Sequence, residues 1–439
     1  MQQSILIHSS KITPRFQYVF KILLKTLHTY EIIFTDDEKT FQTAQIPKIS
    51  YLNGFKSTQK DALQLSSSTN ILFETDTKLE TLHAVFINHE TEGFDFVAAA
   101  FCVLTRYEDY VCDPSQRDIH QRFTSAPSVQ TQNNWLSVPI VQVWSNKLIG
   151  LLAEKFREIK VFKHPYKFIP TYDVDMAWRY KNKSLFINLG GFFRDLFSIK
   201  LNEVELRISI LLNLKPDPDF TFGFLETLHK KYQLEPIYFW LLGNYGKFDK
   251  NISPKNKNQR ALMRELKLSY ENGIHPSYKS SNNVQQLETE IRLYNEIMGE
   301  EANKSRQHFL LLKFPDTYKT LLEHRIFHDY TMGFADNIGF RSGMAVPYNW
   351  FDLAENVETP LIIHPLIAME VTLNQYLNLD ADAALEKFKQ MSDTVKEFGG
   401  DFIMLWHNDA FSDLPNYKNW RKMYEVLIAY ATKNEEMPQ

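Results

Sequence analysis

The chain is short of cysteine, of long apolar runs and of positive charge. Its 439 residues contain only Cys102 and Cys112, which are too few for a disulfide framework and lack a neighbouring cysteine pair for a structural zinc site. No apolar run reaches the length of a membrane span, and the apolar segment 94–104 is interrupted by Asp95. The net charge of −4 and the lack of a basic stripe argue against a nucleic-acid partner.

The N-terminus lacks targeting features as well. It reads Met-Gln-Gln-Ser-Ile-Leu-Ile-His, without the basic start, long apolar core and small-residue cleavage site of a secretory signal. Together with the missing membrane span, this predicts a cytoplasmic protein. The sequence shows no internal repeat and no low-complexity tract.

What is present is enough length and apolar content for two packed domains. A chain of 439 residues with 44% hydrophobic residues is too long for one ordinary core. We place the boundary near 158–166, which gives a first domain at 1–160 and a second at 161–439. The first domain opens with a strand, a helix and a strand, which predicts a mixed α/β fold. Its predicted strands are 4–7, 30–34, 70–73 and 83–87, its helices 14–28, 94–107 and 139–157, and its loop 113–135.

The second domain alternates strand-like and helical segments. The predicted strands are 168–174, 236–242, 273–277, 306–312, 326–331, 360–367 and 401–407. The predicted helices are 219–231, 258–270, 284–298, 315–323, 381–398 and 416–432. This alternation predicts a largely parallel sheet with crossover helices, either a barrel or a doubly wound sheet, with functional residues at the carboxyl ends of the strands.

Two carboxylates, Asp173 and Asp175, end the first strand of the second domain. Residues two apart on an extended backbone project on the same side, so these two negative charges lie close together. Like charges this close repel unless a cation or a proton lies between them. A divalent metal bound by one carboxylate, with the other left as a base, would resolve the repulsion. The alternative is an ordinary pair of solvated surface acids.

Polar side chains also occur at or near the ends of most of the remaining predicted strands. They are His275, Arg306, His308, His328, Asp329, His364 and His407. A single histidine more often packs or faces solvent, but this recurrence favours a shared site. Carboxylate and imidazole ligands suit Zn²⁺ or a similar divalent ion, with positions open for water and a substrate carbonyl. In such a site a carboxylate takes the proton of water, an arginine keeps it ionised, and a histidine protonates the leaving amine.

The order of these residues resembles the polysaccharide deacetylase family, also called the NodB-homology or carbohydrate esterase four family. Residues 171–175 are similar to its acidic first motif, 273–277 to its histidine motif, Arg306 to its arginine motif and 405–408 to its late Leu-x-His motif. The resemblance covers roughly 165–430 and implies a distorted (β/α) barrel of seven or eight strands.

Segments between 306 and 343 resemble a bacterial branch of this family. In that branch a smaller α/β domain of uncharacterised role precedes the deacetylase. The mixed α/β domain at 1–160 would correspond to it, as a scaffold or interaction module.

The resemblance implies a role for each motif residue. Asp173 would be the catalytic base, Arg306 would orient it, and His407 would be the general acid. Asp175 and His275 would bind a divalent metal, with zinc as the first choice and cobalt or nickel as alternatives. The implied activity is removal of N-acetyl groups from a glycan or amino sugar, by cleavage of a linear amide C–N bond.

One position departs from the family pattern. A second histidine usually follows four residues after the first, but the position four after His275 is Lys279. We predict that His308 replaces it, two residues from Arg306 on the same face of a strand, with His328 in reserve. If neither reaches the metal, Lys279 could fill the space, and the barrel would be a catalytically weak glycan-binding or assembly module. A hydrolase of another amide or ester is a third possibility.

Residues near the motifs are candidates for binding the substrate. Aromatic faces stack on sugar rings, and an arginine binds a carboxylate or a hydroxyl group. The candidates are Trp178, Tyr180, Tyr278, Tyr330, Arg341 and Trp406, with Asp336 as a similar case. The alternative for each is packing or a structural ion pair. His364 is predicted to support the site, and Glu370 to be structural or to line the cleft.

Overall fold

The computed structural model describes residues 3–53, 61–75, 78–86, 94–412 and 414–433. Within these residues the chain forms two sheets, one of four strands and one of nine, with helices packed around both. Buried side chains from both halves of the chain form one continuous apolar cluster. The division into domains at 1–160 and 161–439 stays a prediction.

The first half is a small parallel α/β unit, as expected. Its strands are β1 (Gln3–His8), β2 (Tyr30–Thr35), β3 (Lys48–Asn53) and β4 (Leu63–Ser67). They pair in the order β2-β1-β3-β4, all parallel. Its helices are α1 (Pro14–Leu23), α2 (Glu38–Thr43), α3 (Leu79–Phe86), α4 (Phe96–Leu104), α5 (Tyr107–Val111), α6 (Val129–Gln132) and α7 (Ile140–Lys155).

Two predicted strands of this half are wrong. Residues 71–73 form a turn, in which the carbonyl groups of Ile71 and Leu72 accept hydrogen bonds from side chains of α1 and its cap. Residues 83–86 belong to helix α3, and residue 87 lies outside the described residues. Both segments are short apolar runs, and the periodicity of such runs does not separate strand from helix or buried turn.

The second half forms the nine-stranded sheet. Its strands are β5 (Tyr166–Val174), β6 (Ile237–Leu241), β7 (Glu271–His275), β8 (Lys304–Ser305), β9 (His328–Asp329), β10 (Tyr348–Asp352), β11 (Val357–Ile363), β12 (Ala368–Met369) and β13 (Gly400–His407). Their order is β10-β11-β9-β8-β7-β6-β5-β13-β12. The pairings are parallel except that of β10 with β11.

A short connection curls this sheet back on itself. Strand β11 pairs with β9 at one side of the parallel array, and β12 pairs with β13 at the other. Only residues 364–367 join β11 to β12, so the two sides must lie close together. The Ile367 N–H donates to the Ile403 carbonyl at 3.1 Å within this connection. The predicted (β/α) barrel is therefore confirmed, with β10 as an added antiparallel strand.

Eight helices surround the barrel in the described residues. They are α8 (Leu185–Phe197), α9 (Leu201–Leu211), α10 (Phe222–Tyr232), α11 (Lys257–Lys267), α12 (Val284–Met298), α13 (Asp316–Glu323), α14 (Ala381–Phe398) and α15 (Trp420–Ala431). The last six match predicted helices, whereas α8 and α9 were not predicted. None of these helices combines the length and the apolar character that crossing a bilayer requires.

The predicted strand at 306–312 is wrong. Strand β8 ends at Ser305, and a single helical turn follows at His308–Leu310. Phe309 has a φ of 60° in this turn, so the chain reverses there instead of extending. The predicted strand at 326–331 shortens to β9 for a related reason, because the chain loops out after Asp329.

Alternation along β5 separates the packing residues from the polar residues. Tyr172 and Val174 belong to the large cluster beneath the helices, whereas Ile169 belongs to the smaller cluster inside the barrel. Successive strand residues point to opposite faces, so Asp173 shares the inner face with Ile169. Strand β5 thus places the Asp173 carboxylate at the end of the barrel where the parallel strands end.

Candidate metal centre

Polar side chains from four parallel strands meet at one end of the barrel. The strand ends of β5, β7, β8 and β13 are adjacent because the strands run in the same direction. The side chains that they bring together are Asp173, Asp175, His275, Arg306, His308 and His407.

Three of these residues could hold a metal ion. Ligand atoms of Asp175, His275 and His308 all lie within 4.8 Å of one another. The Asp175 carboxylate oxygens lie 3.4 Å from His275 Nε2 and 3.3 Å from His308 Nε2. One carboxylate with two imidazoles, facing an open cleft, is a donor set that zinc and similar divalent ions accept.

The hydrogen bonds of the two imidazoles fit this role. His275 Nδ1 donates to the Arg306 carbonyl at 2.5 Å, and His308 Nδ1 donates to Asp249 at 3.0 Å. These hydrogen bonds turn Nε2 of both rings towards Asp175. In metal sites, a hydrogen bond from the other ring nitrogen commonly fixes a ligand histidine in this way. Among the described residues, His275 Nε2 and Asp175 Oδ1 are buried without a hydrogen-bond partner. Because such orphaned polar atoms are costly, the residues present fit a bound cation.

The charges of the cluster also favour a cation. Burial alone would raise the pKa of Asp175, but His308 and His275 lower it well below its usual value. Burial alone would lower the pKa of His308, but Asp175 and Asp249 raise it to about 9. Two carboxylates thus attract positive charge to one place, which a proton or a metal ion can supply.

Asp173 borders the cluster, with Oδ2 3.5 Å from His275 Nε2, and its other oxygen is paired with an arginine. The Arg306 guanidinium donates to Asp173 Oδ1 at 3.0 Å, and both side chains are almost fully buried. Arg306 is itself fixed by the Tyr330 carbonyl at 3.0 Å and lies 4.5 Å from the Phe239 ring centroid. The guanidinium thereby fixes the orientation of the Asp173 carboxylate by a charge-assisted hydrogen bond.

His407 faces the cluster from the opposite side. Its Nε2 lies 3.9 Å from Asp175, and its Nδ1 lies 2.7 Å from the fully buried Glu370. Burial alone would lower the pKa of His407, but Glu370 raises it well above its usual value. The imidazole is therefore held in its protonated form, which is the form of a general acid.

Two of the supporting carboxylates were not assigned these roles from the sequence. Asp249 lies in the loop after β6, and it also accepts the backbone N–H of Tyr278 at 2.7 Å. Glu370 directly follows β12, and a lone acid after a buried run was its only signal. The Lys279 side chain is exposed, so it does not fill the space of a missing ligand.

The other histidines that mark strand ends lie apart from the cluster. His328 Nδ1 lies 2.9 Å from His364 Nε2, and the His364 ring stacks on Tyr330 at 4.2 Å. The reserve ligand His328 is therefore not brought to the metal position. His364 contacts His328 and Tyr330 instead of a ligand.

The predicted substrate residues mostly serve packing. Trp178 stacks on Phe220 at 5.2 Å, and Trp406 is fully buried beneath α14 and α15. Trp406 alternates with Leu405 and His407 along β13, so its side chain points away from the barrel interior. The other candidates also contact protein groups. Tyr180 donates a hydrogen bond to Glu203, the Tyr278 hydroxyl lies within hydrogen-bond distance of His120, and Tyr330 packs on Phe239. Arg341 forms an ion pair with Asp109, and Asp336 accepts a hydrogen bond from Ser125. None of these residues lines the metal cleft.

The cleft above the cluster has a volume of about 550 Å³. Beside the cluster it is lined by Arg122, Asp219, Lys250, Gln307, Tyr376 and Asp409, among others. Burial and the neighbouring Asp409 raise the pKa of Asp219 to about 7. Arg122 comes from the first half of the chain and reaches Tyr376 and the Phe309 carbonyl, each at 2.8 Å. The first half therefore contributes one wall of the cleft.

Fold and site together define an α/β-barrel protein with a candidate Asp-His-His metal centre. The model of a family of unknown function, DUF7033, matches residues 5–157. No curated protein sequence matches the chain significantly.

Three solved structures resemble the chain at a distance. A protein described as a polysaccharide deacetylase from Mycobacterium smegmatis has 12% identity and a TM-score of 0.40, covering 62% of this chain and 85% of its own. The allantoinase PuuE has 13% identity and a TM-score of 0.39, covering 62% and 85%. A protein described as a polysaccharide deacetylase from Pseudomonas aeruginosa has 12% identity and a TM-score of 0.38, covering 62% and 86%. At such distances the chemistry has to be inferred from the side chains of the cleft.

Proposed function

We propose that this protein is a metal-dependent hydrolase of the polysaccharide deacetylase type, which removes N-acetyl groups from a glycan or amino sugar. The observation that supports the proposal is the convergence of three units in one cleft. A buried carboxylate–guanidinium pair, a three-ligand cluster and a histidine held by a carboxylate lie side by side. Each has the chemical character that one part of amide hydrolysis requires.

Asp175, His275 and His308 would hold the divalent cation, with zinc as the first choice. Bound there, the cation supplies Lewis-acid polarisation of the acetyl carbonyl and favours ionisation of water. The hydrogen bonds from His308 to Asp249 and from His275 to the Arg306 carbonyl keep the two imidazoles oriented.

Asp173 would accept the proton of the attacking water. Arg306 fixes the direction of this carboxylate through its hydrogen bond to Oδ1. The water oxygen forms a bond to the acetyl carbon, and the C–N bond then breaks. His407 donates its proton to the departing nitrogen, so the products are acetate and a free amine.

The test is Asp173→Asn in the metal-loaded protein, assayed by acetate release from chitooligosaccharides. We expect turnover to fall by on the order of 10³-fold or more, because the base contributes to every cycle. Metal content should stay equal to that of the wild type, since Asp173 is not among the ligands. Asp382→Asn, which removes an exposed carboxylate on α14, is the matched control and should keep full activity.

Equal turnover by the wild type and Asp173→Asn would reject the assigned base. Failure of the wild type to bind stoichiometric metal would favour the alternative, a catalytically weak glycan-binding or assembly module. Acetate or acid release only from other amides or esters would favour a different hydrolase on the same barrel.

A further inference from the structure

The helical hairpin formed by α8 and α9 presents its apolar side chains outward. The buried side chains of α8 are Asn188 and Asp195, and those of α9 include Arg207. The outward side chains are largely leucine, phenylalanine and isoleucine. Those more than half exposed on the hairpin and its ends are Leu185, Phe186, Phe197, Ile199, Leu201, Leu212 and Leu214. A helix packed on a core in water has the opposite arrangement, and such a contiguous apolar surface marks an interaction site.

Polar contacts inside the hairpin fix this orientation. Arg207 donates to Asp195 at 2.7 Å and lies 4.7 Å from the Tyr180 ring centroid. Asn188 donates to the Tyr180 carbonyl at 3.0 Å and accepts from Arg207 at 3.3 Å. Because these buried polar groups partner one another, rotating either helix to hide its apolar face would leave them unpaired. The apolar face is therefore held outward.

Basic side chains surround the apolar face, although the chain as a whole has a net charge of −4. The segment formed by the loop after β6 and the start of α11 contacts the base of the hairpin, where Asn256 and Asn258 donate to Asn182 at 3.0 and 2.6 Å. Exposed basic residues of this segment and of the hairpin with its ends are Lys247, Lys250, Lys255, Lys257, Arg194, Lys200 and Lys215. The exposed acid of the hairpin, Glu205, lies 3.7 Å from Lys215. The rim is thus locally cationic.

We propose that the α8–α9 hairpin docks the protein on the surface of a bilayer that contains anionic lipids. A helix that lies in the membrane interface inserts leucine and phenylalanine side chains and places lysine and arginine near the lipid phosphates. The hairpin and the neighbouring lysine loop supply both kinds of side chain. In a two-fold contact with a second copy, the cationic rim would face itself, and repulsion between like charges disfavours that arrangement.

The hairpin lies next to the metal cleft. A groove of about 640 Å³ between them is lined by Arg179, Lys183 and Arg207, and Met176 and Lys250 line both the groove and the cleft. Docking would therefore bring the mouth of the cleft towards the lipid surface. The proposal does not depend on the proposed activity, because vesicle binding is measured without turnover.

The test is flotation of the full chain with vesicles of phosphatidylcholine that contain about one-third phosphatidylglycerol, and with vesicles of phosphatidylcholine alone. We expect binding to the mixed vesicles, at least about tenfold weaker binding to phosphatidylcholine alone, and release by high salt. The double variant Phe186→Ser/Phe197→Ser should lose binding to the mixed vesicles by about tenfold or more. Leu268→Ser, which changes an 86% exposed side chain on another surface, is the matched control and should bind as the wild type does.

A second variant protects the test against misfolding of the first. Lys247→Gln/Lys255→Gln keeps the apolar face and should lose the preference for anionic vesicles, with an unchanged circular dichroism spectrum. Absence of wild-type binding, or equal binding by the phenylalanine variant, would overturn the proposal. So would a wild-type dimer, seen by light scattering, that this variant converts to monomers, because the face would then belong to a second copy.

Discussion

Two buried clusters of charge in this molecule differ in whether all of their carboxylate oxygens have hydrogen-bond partners. The first lies between the two halves of the chain, where Arg106 and Arg341 meet Glu108 and Asp109. All four carboxylate oxygens of this cluster are partnered, three by guanidinium groups and the fourth by the Val129 N–H at 2.9 Å. The second cluster is the candidate metal centre, in which His275 Nε2 and Asp175 Oδ1 have no hydrogen-bond partner among the described residues.

This difference distinguishes a cluster that stabilises the fold from one that could bind a ligand. Two arginines balance two acids in the first cluster, so it is electrically closed and has no position for a ligand. In the second, carboxylates and imidazoles face one point beside a cleft of about 550 Å³, and their charges balance only with an added proton or cation. Arg341, a candidate for substrate binding from the sequence, belongs to the closed cluster.

The largest expected effect comes from removing a ligand of the open cluster, with His275→Gln. Stoichiometric metal should be lost, and hydrolysis should fall by at least about 1,000-fold, because the cation stabilises the transition state by several kcal/mol. The free energy of unfolding of the metal-free variant should fall by about 1–3 kcal/mol relative to the metal-free wild type, because the buried Arg306 carbonyl loses the Nδ1 donor. Metal analysis, an activity assay and urea unfolding provide the three measurements. Full metal content with normal activity would remove His275 from the site.

Breaking the closed cluster should have the opposite outcome. Arg341→Met leaves the buried Asp109 with one guanidinium fewer, so the free energy of unfolding should fall by about 3–5 kcal/mol. Metal content per folded molecule should not change, because Arg341 does not line the cleft. The exposed Arg292→Met is the matched control and should unfold as the wild type does. A loss of metal without a loss of stability would show that the two clusters are coupled in function.

The sequence alone predicts the polar residues at the strand ends, but not the side chains from other parts of the chain that contact them. Apolar runs with a polar residue at or near their end predict the strands that carry Asp173, His275 and His407, and the parallel order brings such ends together. Asp249 and Glu370 contact His308 and His407 from positions outside the site strands, and Arg122 reaches the cleft from the other half of the chain. Only the tertiary fold decides which loop meets which strand, so local pattern carries no signal for them.

His308 shows how a correct grouping can rest on a wrong local structure. The sequence predicts it beside Arg306 on one strand face, but the strand ends at Ser305, and His308 lies in a turn with a positive φ at Phe309.

Helices α8 and α9 are not predicted from the sequence for a different reason. The buried residues of α8 are polar, and α9 buries Arg207 between Val204 and Ile210, so neither helix has a regular apolar stripe facing the core.

The smallest expected effect tests whether an unpartnered imidazole nitrogen is enough to mark a metal site. His229 also has a buried Nδ1 without a partner among the described residues, while its Nε2 lies 2.8 Å from Tyr172 Oη. Burial lowers the pKa of His229 to about 3, so the native state keeps this ring neutral well below the pH at which the unfolded chain protonates it. As the pH falls below about 6.5, the unfolded state gains a proton that the native state does not, and stability falls. Between about pH 7.5 and 5.5 the free energy of unfolding should therefore decrease by about 1 kcal/mol more in the wild type than in His229→Gln, as measured by urea unfolding. Metal content should be identical in both proteins, because among the residues that the structure describes no carboxylate forms an ion pair with His229 as Asp175 does with His275. Loss of metal in His229→Gln would mean that convergence of ligands is not what distinguishes the open cluster.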